Sequence, residues 1–386
     1  MLPRKSSHLM ILVNGREMPP VGRTPGGQES WENASFFSSL LNGGWNMKAR
    51  NSTILIFSLL FLLASCEENG EMPEKDSGIP VDFQGLSIDS LEILQTNIPE
   101  GLYTDLTFVS ETTGFAISNS GDIVKTNDGG LSWEKLSSPA DFFLNRIQFV
   151  DSETGYIVGG DDTGGYLLKT MDAGQNWELF NLETPDNVMP TGLFFLNDTT
   201  GYISGERLFR KTIDGGRTWS EVIDHVSGNI RDVAFKSANE GYAATDDGKY
   251  WKSVDGGTNW QSMQVNTTDH LKRIYFAEEK VLAKCLTNAF VDLEIGERVC
   301  AVPEGAFNFL FLDDTRCIGI GQHYEGEYLP YGDVFLTNDA WRTFVWKKYS
   351  PQSEALNITA IAAVKKGKVL MIGSGTVNMS VIELRY

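Results

Sequence analysis

Two of the adjacent aspartate pairs in this chain have a residue type and spacing that suggest chemistry. They are Asp161-Asp162, which lies between two glycine pairs, and Asp246-Asp247, which precedes a glycine. Neighbouring carboxylates on a loop supply the oxygen ligands that calcium prefers. Because a solvated acidic loop has the same appearance, we predict no cofactor and keep calcium at these pairs as an alternative.

The segment Gly321 to Gly332, with the sequence GQHYEGEYLPYG, concentrates aromatic side chains in one predicted loop. It contains His323, Tyr324, Tyr328 and Tyr331. Tyrosine offers a large, fairly rigid contact area with a polar tip, which suits surfaces that bind proteins or sugars. The alternative is that these rings pack back onto the fold to hold a long loop. The four residues and the two aspartate pairs form the predicted partner-binding set.

A third kind of chemistry is predicted at Cys66, as the acceptor of a lipid. From Met47 the chain reads MKARNSTILIFSLLFLLASC, with Lys48 and Arg50 ahead of an apolar run at Ile54 to Leu63. This order is typical of a secretory signal that ends in a lipoprotein box, whose thiol takes diacylglycerol. The run is shorter than the roughly 20 residues of a membrane-spanning helix. A buried core helix is the alternative, but it would not need the basic flank.

This leader divides the chain into four predicted segments. Residues 1–46 are predicted to be a non-native upstream extension, and residues 47–65 the lipoprotein signal peptide. Residues 66–85 are rich in charge, glycine and proline, which predicts a flexible tether. Residues 86–386 form the folded domain. Acidic residues directly after the cysteine resemble lipoprotein export signals, which favours an outer-membrane lipoprotein, periplasmic or cell-surface.

The charge balance excludes one class of partner. The 386 residues include 32 basic and 51 acidic ones, of which six and three lie in residues 1–66, so the chain beyond that point carries a net charge of −22. Such a surface repels phosphate backbones and lacks the basic stripe of a nucleic-acid-binding protein. We predict no nucleic-acid partner, membrane contact only through the lipid anchor, and a monomer.

The domain is organised by one motif that occurs four times: TNDGGLSW, TMDAGQNW, TIDGGRTW and SVDGGTNW. Its aspartate can accept hydrogen bonds from backbone N–H groups just downstream, and the glycine two places on can take positive φ. Its tryptophan is expected to bury its ring against the neighbouring copy. We predict structural rather than catalytic roles for the residues of these Asp boxes: Asp128, Gly130, Trp133, Asp172, Gly174, Trp177, Asp214, Gly216, Trp219, Asp255, Gly257 and Trp260.

The spacing of the boxes predicts the fold class. Successive tryptophans are 44, 42 and 41 residues apart, which is the period of a four-stranded propeller blade. Each unit adds a glycine-aromatic step, of which Gly155-Tyr156 is an example, and short apolar runs that predict strands. A blade at His270 to Pro303 has lost its box, and TNDAWRTF at Thr337 to Phe344 is a remnant in the next. The chain is therefore predicted to be an all-β, seven-bladed propeller of four-stranded antiparallel blades.

Closure of the ring is predicted to use the N-terminal segment. The last unit, Leu356 to Tyr386, offers only three strands, and DSLEILQTN at Asp89 to Asn97 is otherwise unassigned. Pairing this segment with SVIELRY would supply the missing strand and remove two exposed edges. Six blades with a loose end is the alternative.

The remaining cysteines do not predict a metal or redox site. Cys285 and Cys317 fall in the second strands of successive blades and Cys300 in a fourth strand, so no pair is clearly adjacent. Small buried hydrophobic side chains are the simplest role. The chain has four histidines and no CxxC, which argues against zinc, and it has no GxGxxG after a strand.

These repeats resemble the Asp-box (BNR-repeat) propellers, and most closely the photosystem II stability/assembly factor-like group. The units of that group read much like FVDSETGYIVGG at Phe149 to Gly160 followed by KTMDAGQNWELF at Lys169 to Phe180. The resemblance is strong over Leu106 to Gln264 and weak over Asn266 to Tyr386. It implies a propeller that binds or scaffolds rather than catalyses. It does not imply the photosynthetic partner, because that group uses a basic face and this chain is acidic.

Asp boxes also occur in sialidases and some endoglucanase propellers, so a glycoside hydrolase acting on extracellular glycans is the alternative. A sialidase-like site needs three converging arginines, whereas Arg146, Arg210 and Arg231 are expected to lie singly and the Arg-Ile-Pro signature is absent. A site of two carboxylates stays open. The favoured hypothesis is a non-catalytic, lipid-anchored propeller that binds an envelope protein or glycan as a scaffold or assembly factor.

Overall fold

The computed structural model describes residues 12–13, 16–17, 90–94, 96–185, 187–223, 229–325, 329–337, 345–349, 356–375 and 379–385. The chain divides into two compact units, residues 1–62 and 63–386. In the first unit, β1 (Leu12–Val13) pairs with β2 (Arg16–Glu17) in an antiparallel hairpin. The predicted signal peptide, the predicted tether and Cys66 lie outside the described residues.

The second unit is a seven-bladed propeller, as predicted, and each blade is one four-stranded antiparallel sheet. After β3 (Ser90–Leu94), the strands of blades one to three are β4 (Tyr103–Phe108), β5 (Gly114–Ser118), β6 (Ile123–Thr126), β7 (Glu134–Lys135), β8 (Phe143–Phe149), β9 (Gly155–Asp161), β10 (Gly164–Thr170), β11 (Glu178–Asn181), β12 (Pro190–Phe195), β13 (Gly201–Gly205), β14 (Leu208–Thr212) and β15 (Ser220–Glu221). The strands of blades four to seven are β16 (Ile230–Phe235), β17 (Gly241–Thr245), β18 (Lys249–Ser253), β19 (Gln261–Gln264), β20 (Leu271–Phe276), β21 (Val281–Cys285), β22 (Ala289–Asp292), β23 (Glu297–Ala301), β24 (Ala306–Phe311), β25 (Cys317–Glu325), β26 (Leu329–Thr337), β27 (Val345–Tyr349), β28 (Leu356–Lys365), β29 (Lys368–Gly375) and β30 (Met379–Arg385).

No helix occurs among the residues that the structure describes. In that part of the chain, accordingly, no helix has the length and apolar character needed to cross a membrane. The apolar run at 54–63 lies outside it.

The ring closes through β3, as the unassigned N-terminal segment predicted. β3 is the fourth strand of blade seven and pairs antiparallel with β30, with Ser90 opposite Arg385 and Leu94 opposite Val381. The alternative of six blades with a loose end is therefore wrong. Because the outer strand of the last blade comes from the other end of the domain, closure joins segments that are almost 300 residues apart.

The glycine-aromatic steps are explained by packing within and between blades. A Cβ atom on Gly155, at the start of β9, would lie 2.6 Å from the Phe149 ring of the same blade. The following aromatic ring, Tyr156, is fully buried and stacks on Phe195 of the next blade with 3.5 Å between ring centroids. The same glycine contact recurs in blades one, three and four at Gly114, Gly201 and Gly241.

Each Asp box is a turn held by its own side chains. In blade three, Asp214 Oδ1 accepts hydrogen bonds from Thr212 Oγ1 (2.8 Å) and the Thr218 N–H (2.9 Å), and Asp214 Oδ2 accepts one from Thr218 Oγ1 (2.6 Å). The Thr212 hydroxyl in turn accepts the N–H of Gly216 at 2.9 Å. Led by the bond from the Thr218 hydroxyl, these contacts lower the pKa of Asp214 to about 2.

The boxes also join neighbouring blades. Lys169 of blade two extends its ammonium group over the Tyr156 ring, 5.3 Å from the centroid, and donates to the Gly215 carbonyl in the box of blade three at 3.2 Å. Equivalent bonds run from Lys125 to Ala173, from Lys211 to Gly256 and, across the closure, from Lys368 to Gly129. Blade five has no box, and Lys252 of blade four pairs with Glu240 of its own blade at 2.8 Å.

The turns define two faces of the ring. We call the face that carries the boxes and the turns between first and second strands the box face. The opposite face carries the turns between second and third strands and the loops between blades, and we call it the hairpin face. All described members of the predicted partner-binding set lie in turns or strand ends at the hairpin face.

Candidate functional site

The first aspartate pair lies at the tip of a tight hairpin in blade two. Asp161 ends β9, and its Oδ1 accepts the N–H of Thr163 at 2.7 Å and the Thr163 hydroxyl at 2.5 Å. The bond from that hydroxyl is the main cause of a lowered pKa at Asp161. The Asp162 carbonyl accepts the N–H of Asn187 at 3.1 Å. The carboxylate of Asp161 therefore organises its own turn.

The second pair lies in the equivalent turn of blade four and is also bonded locally. Asp246 accepts the N–H of Asn229 (3.0 Å) and pairs with Arg231 at 2.9 Å. Burial opposes the charge of Asp246, but the bonds from Asn229 and Arg231 outweigh it and lower its pKa. Asp247 accepts the Thr245 hydroxyl at 2.5 Å and pairs with Lys249 at 3.1 Å.

The two aspartate pairs are not brought together, because blade three separates them. Among the described side chains, no group of three or more His, Cys, Asp or Glu is arranged to hold a metal ion. Calcium at either pair therefore stays a prediction that would need oxygen ligands beyond these carboxylates.

The aromatic segment of blade six is a β-hairpin rather than the predicted loop. β25 and β26 are nine residues long, and their pairing places His323 opposite Tyr331 and Tyr324 opposite Pro330. β24 pairs only as far as Gly321, so the last residue pairs form a ribbon that extends past the first strand on the hairpin face. Backbone hydrogen bonding explains the difference: continuing the ladder satisfies groups that a free loop would leave to solvent. Tyr328 lies outside the described residues.

A polar cluster on the ring axis was not predicted as a group. Asp105 and Asp232 are buried on the first strands of blades one and four, and Arg146 and Arg273 lie on those of blades two and five. Burial and the nearby charge of Arg273 lower the pKa of Arg146. Burial also opposes the charge of Arg273, yet Tyr275, Asp105 and Asp232 more than offset it and raise its pKa.

These axial side chains satisfy the inner edges of the blades. The first strand of each blade has one edge without a neighbouring strand, and unpaired backbone groups there cost free energy unless they are bonded. Asp105 Oδ2 accepts the N–H of Ile147 at 3.1 Å, and Asp232 Oδ2 accepts that of Ile274 at 2.9 Å. Each bond therefore connects one blade to the next around the axis.

The arrangement of the arginines corrects one expectation. Arg146 does not lie singly, since it shares the axial cluster with Arg273, while Arg210 pairs with Glu221 and Arg231 with Asp246. Two arginines with two aspartates do not form the three-arginine site of a sialidase. One sequence signal was available: Asp105, Arg146 and Asp232 interrupt first strands that are otherwise largely apolar.

A cleft of about 420 Å³ on the hairpin face was also missed. It lies between the loop that enters blade five and the second turn of that blade, and its lining includes Thr268, Asp269, Leu286 and Arg298. Asp269 holds the two walls together by accepting the N–H of Thr287 at 3.1 Å. Cys285 at its floor is buried, as expected for a small hydrophobic side chain.

Comparison with known proteins identifies the kind of propeller. The family described as photosynthesis system II assembly factor YCF48 matches residues 86–193, which contain the closing strand and the first two blades. Over these residues the chain is similar to photosystem II assembly factors, and its fold is a seven-bladed β-propeller. The likeness that the repeats suggested is thereby confirmed.

Curated relatives of this assembly factor-like propeller carry names of the same kind. The photosystem II assembly lipoprotein Ycf48 of Synechococcus sp. (strain CC9902) is 28% identical over 204 residues, which is 50% of this chain and 59% of the relative. The protein of that name from Prochlorococcus marinus (strain SARG) is 28% identical over 249 residues, or 58% and 63% of the two chains. The chain thus spans about three fifths of the length of these relatives.

Solved structures support the fold of this assembly factor-like propeller over a larger share of the chain. YCF48 bound to a D1 peptide aligns with a TM-score of 0.57 and 17% identity, covering 77% of this chain and 96% of that one. YCF48 from Cyanidioschyzon merolae aligns with a TM-score of 0.58 and 15% identity, covering 77% and 98%. At these identities the likeness concerns the fold.

Proposed function

We propose that this propeller is a non-catalytic scaffold or assembly factor of the cell envelope that binds a protein partner on its hairpin face. The observation that carries the proposal is the match to the assembly-factor family, of which one solved member is described as bound to a D1 peptide. That partner belongs to that protein, and the partner of this chain is a polypeptide to be identified. The acidic composition of this chain favours a partner without exposed phosphate.

The blade-six ribbon is the proposed contact. It extends beyond its blade on the hairpin face, and its backbone places His323, Tyr324 and Tyr331 at its end. A protruding ribbon presents contact residues to a partner without disturbing the ring, and tyrosine is enriched at such surfaces. The cleft of blade five lies in the neighbouring blade on the same face. A partner that covers both would contact two blades.

The lipid anchor belongs to the same proposal. Relatives in Synechococcus and Prochlorococcus are named lipoproteins, and the sequence before Cys66 has a basic start, a short apolar run and small residues. We propose diacylglyceryl attachment at Cys66, translation from Met47 and residence in the outer membrane. Metabolic labelling with an alkynyl fatty acid should mark the chain but not Cys66→Ser, and equal labelling of both would refute the anchor.

Affinity capture from detergent-solubilised envelope tests the binding function. The chain from Cys66 is compared with a variant in which residues 323–331 are replaced by a short Gly-Ser turn. A matched control replaces the blade-three turn Glu206-Arg207, on the same face, by Asn-Gly. One protein should be recovered with the chain and the control but lost with the ribbon variant. Equal recovery by all three would remove the ribbon from the site.

Failure to recover any protein would move the search to a glycan array with the same samples. Binding of a defined glycan there, lost with the ribbon variant, would replace the protein partner by a carbohydrate. The glycosidase alternative gains no support from the two aspartate pairs, because they lie in separate blades and are bonded within their own turns.

A further inference from the structure

Five successive blades each expose one aliphatic side chain at the turn between third and fourth strands. These residues are between 54% and 73% exposed, in blades one to five: Leu131, Met171, Ile213, Val254 and Ile295. Isolated exposed hydrophobic residues are ordinary on protein surfaces. Here one exposed aliphatic residue recurs on the same face in five consecutive blades, so the residues form a repeated pattern rather than isolated exposures.

Three of these residues occupy the same position of the box. Met171, Ile213 and Val254 stand between the hydroxyl residue and the aspartate. The two flanking side chains bond to each other and to the turn, as Thr212 and Asp214 do at 2.8 Å, so the residue between them is directed outward. Because the blades are equivalent units of one ring, equivalent positions lie at a similar height on the box face.

The closing strand β3 begins at this same face. Lys368 contacts the Gly129 carbonyl in the box of blade one, which places the start of β29 at the box face. Lys368 is opposite Arg385 in the ladder, and Arg385 is opposite Ser90. Ser90, the first residue of the propeller, is therefore at the box face as well.

We propose that the box face docks on a lipid bilayer, with Met171, Ile213 and Val254 and their neighbours in blades one and five entering the bilayer interface. The hairpin face then points away from the membrane, toward a partner. The inference rests on the lipid anchor at Cys66 that belongs to the proposed function. Residues 67–89 could extend over about 80 Å, so the anchor determines only which membrane surface the ring lies near. The aliphatic residues determine which face of the ring contacts that surface.

The charges on this face select the lipid. Although burial opposes the charge of Asp128, hydrogen bonds within the boxes lower the pKa values of all four box aspartates: Asp128, Asp172, Asp214 and Asp255. They therefore stay ionised beside the aliphatic residues. An anionic surface would repel them, whereas a zwitterionic interface offers cationic groups to carboxylates and apolar depth to the aliphatic side chains. The expected surface is a phosphatidylethanolamine-rich bilayer.

Photocrosslinking of the lipidated chain in vesicles tests the orientation. Vesicles of phosphatidylethanolamine and phosphatidylcholine carry a phospholipid with a photoactivatable group near its headgroup, and labelled peptides are mapped by mass spectrometry. Labels should lie in the turns around residues 171, 213 and 254. In the triple variant M171Q/I213Q/V254Q this labelling should fall about tenfold. The control L102Q/F143Q removes exposed apolar residues of the hairpin face and should leave the labelling unchanged.

The outcomes separate this inference from the anchor. Flotation of the vesicles in a density gradient shows whether the chain is anchored to them. If the chain floats but is labelled on hairpin-face turns, or on neither face, the docking is overturned and the anchor stands. A chain that does not float refutes the anchor and the docking together. Absence of lipid labels on the box turns, together with capture of an envelope protein that M171Q/I213Q/V254Q no longer binds, would show a protein interface there and overturn the proposal.

Discussion

The Nζ atom of Lys211 lies 3.2 Å from the carbonyl oxygen of Gly256, across the boundary between blades three and four. The Tyr202 hydroxyl donates to the same carbonyl at 2.9 Å, and the ammonium group lies over the Tyr202 ring. The box is thus a contact between blades as well as a turn within one. The Tyr202 hydroxyl also leaves no room for a side chain at the next residue, Gly257.

Gly257→Ala should destabilise the ring by about 3 kcal/mol, because overpacking and a positive φ act together. Its Cβ would lie 2.0 Å from the Tyr202 hydroxyl, and its φ is +71°. Urea unfolding followed by tryptophan fluorescence measures the change. Gln175→Ala, at an exposed free position of a box, is the control and should shift stability by less than about 0.5 kcal/mol. Equal midpoints for both variants would contradict the packing argument.

Ala173→Gly should stabilise the protein by about 0.5 to 1 kcal/mol, since alanine is strained at positive φ. Ala173 has φ +56°, where the other three boxes have glycines with φ between +69° and +73°. The reverse change, Gly215→Ala, should be destabilising, because its Cβ would meet the Asp198 carbonyl at 2.7 Å. Thermal unfolding compares the two variants, and a lower midpoint for Ala173→Gly would show that the turn has adapted to alanine.

Asp214→Asn should reduce the sensitivity of the fold to acid. The folded pKa of Asp214 is about 2, below its usual value of 3.8. A lowered carboxylate pKa stabilises the folded state above the unfolded pKa, and that stabilisation is lost as the pH falls from about 4 to about 2. The melting temperatures of the original chain and the variant should therefore differ at pH 7 and converge toward pH 2. Asp141→Asn, outside the boxes, controls for net charge, and a constant difference for Asp214→Asn would contradict the prediction.

Two prolines in the closing strand should open the ring. In E92P/I93P at least one substituted residue loses a hydrogen bond to β30, since alternate residues of an edge strand donate to their neighbour. We expect a loss of about 3 kcal/mol or more and increased hydrogen exchange in β30. E92T/I93V keeps strand-forming residues and should retain protection. Unchanged exchange in β30 for the proline variant would show that closure does not depend on this pairing.

Asp232→Ala should cost about 3 kcal/mol or more, because it removes a buried carboxylate that is a counter-charge of the half-buried Arg146 and Arg273. It also removes the acceptor of the Ile274 N–H. Asp232→Asn keeps an acceptor and should cost less. Urea unfolding of both variants measures the order, and its reversal would mean that the buried charge itself is the greater cost.

The features predicted from the sequence are those that each blade determines locally. The spacing of Trp133, Trp177 and Trp219 predicted the blades, and the three-stranded last unit predicted the closure by the segment around Ser90. These signals are periodic, so one copy supports the next. The tip of blade six was predicted as a loop because glycine and proline there resemble turn residues, although the ladder continues from Gly321 to Glu325.

The axial cluster escaped prediction for a different reason. Arg146 and Arg273 are far apart in sequence and interact only once seven blades form a ring. Each stands beside another polar residue in its own strand, Asn145 or Lys272, so the local sequence does not single it out. The cleft of blade five likewise depends on how the loop at Asp269 meets the turn at Thr287. Both sites result from tertiary geometry.

The pairing of β3 with β30 also sets an order of events during synthesis. Ser90–Leu94 emerges from the ribosome before every other strand of the propeller, while its partner, Met379–Arg385, emerges after all of them. Contacts between such distant segments form slowly, since the intervening chain must be ordered first. The first strand to be synthesised, Ser90–Leu94, therefore stays unpaired until synthesis of the last strand is complete.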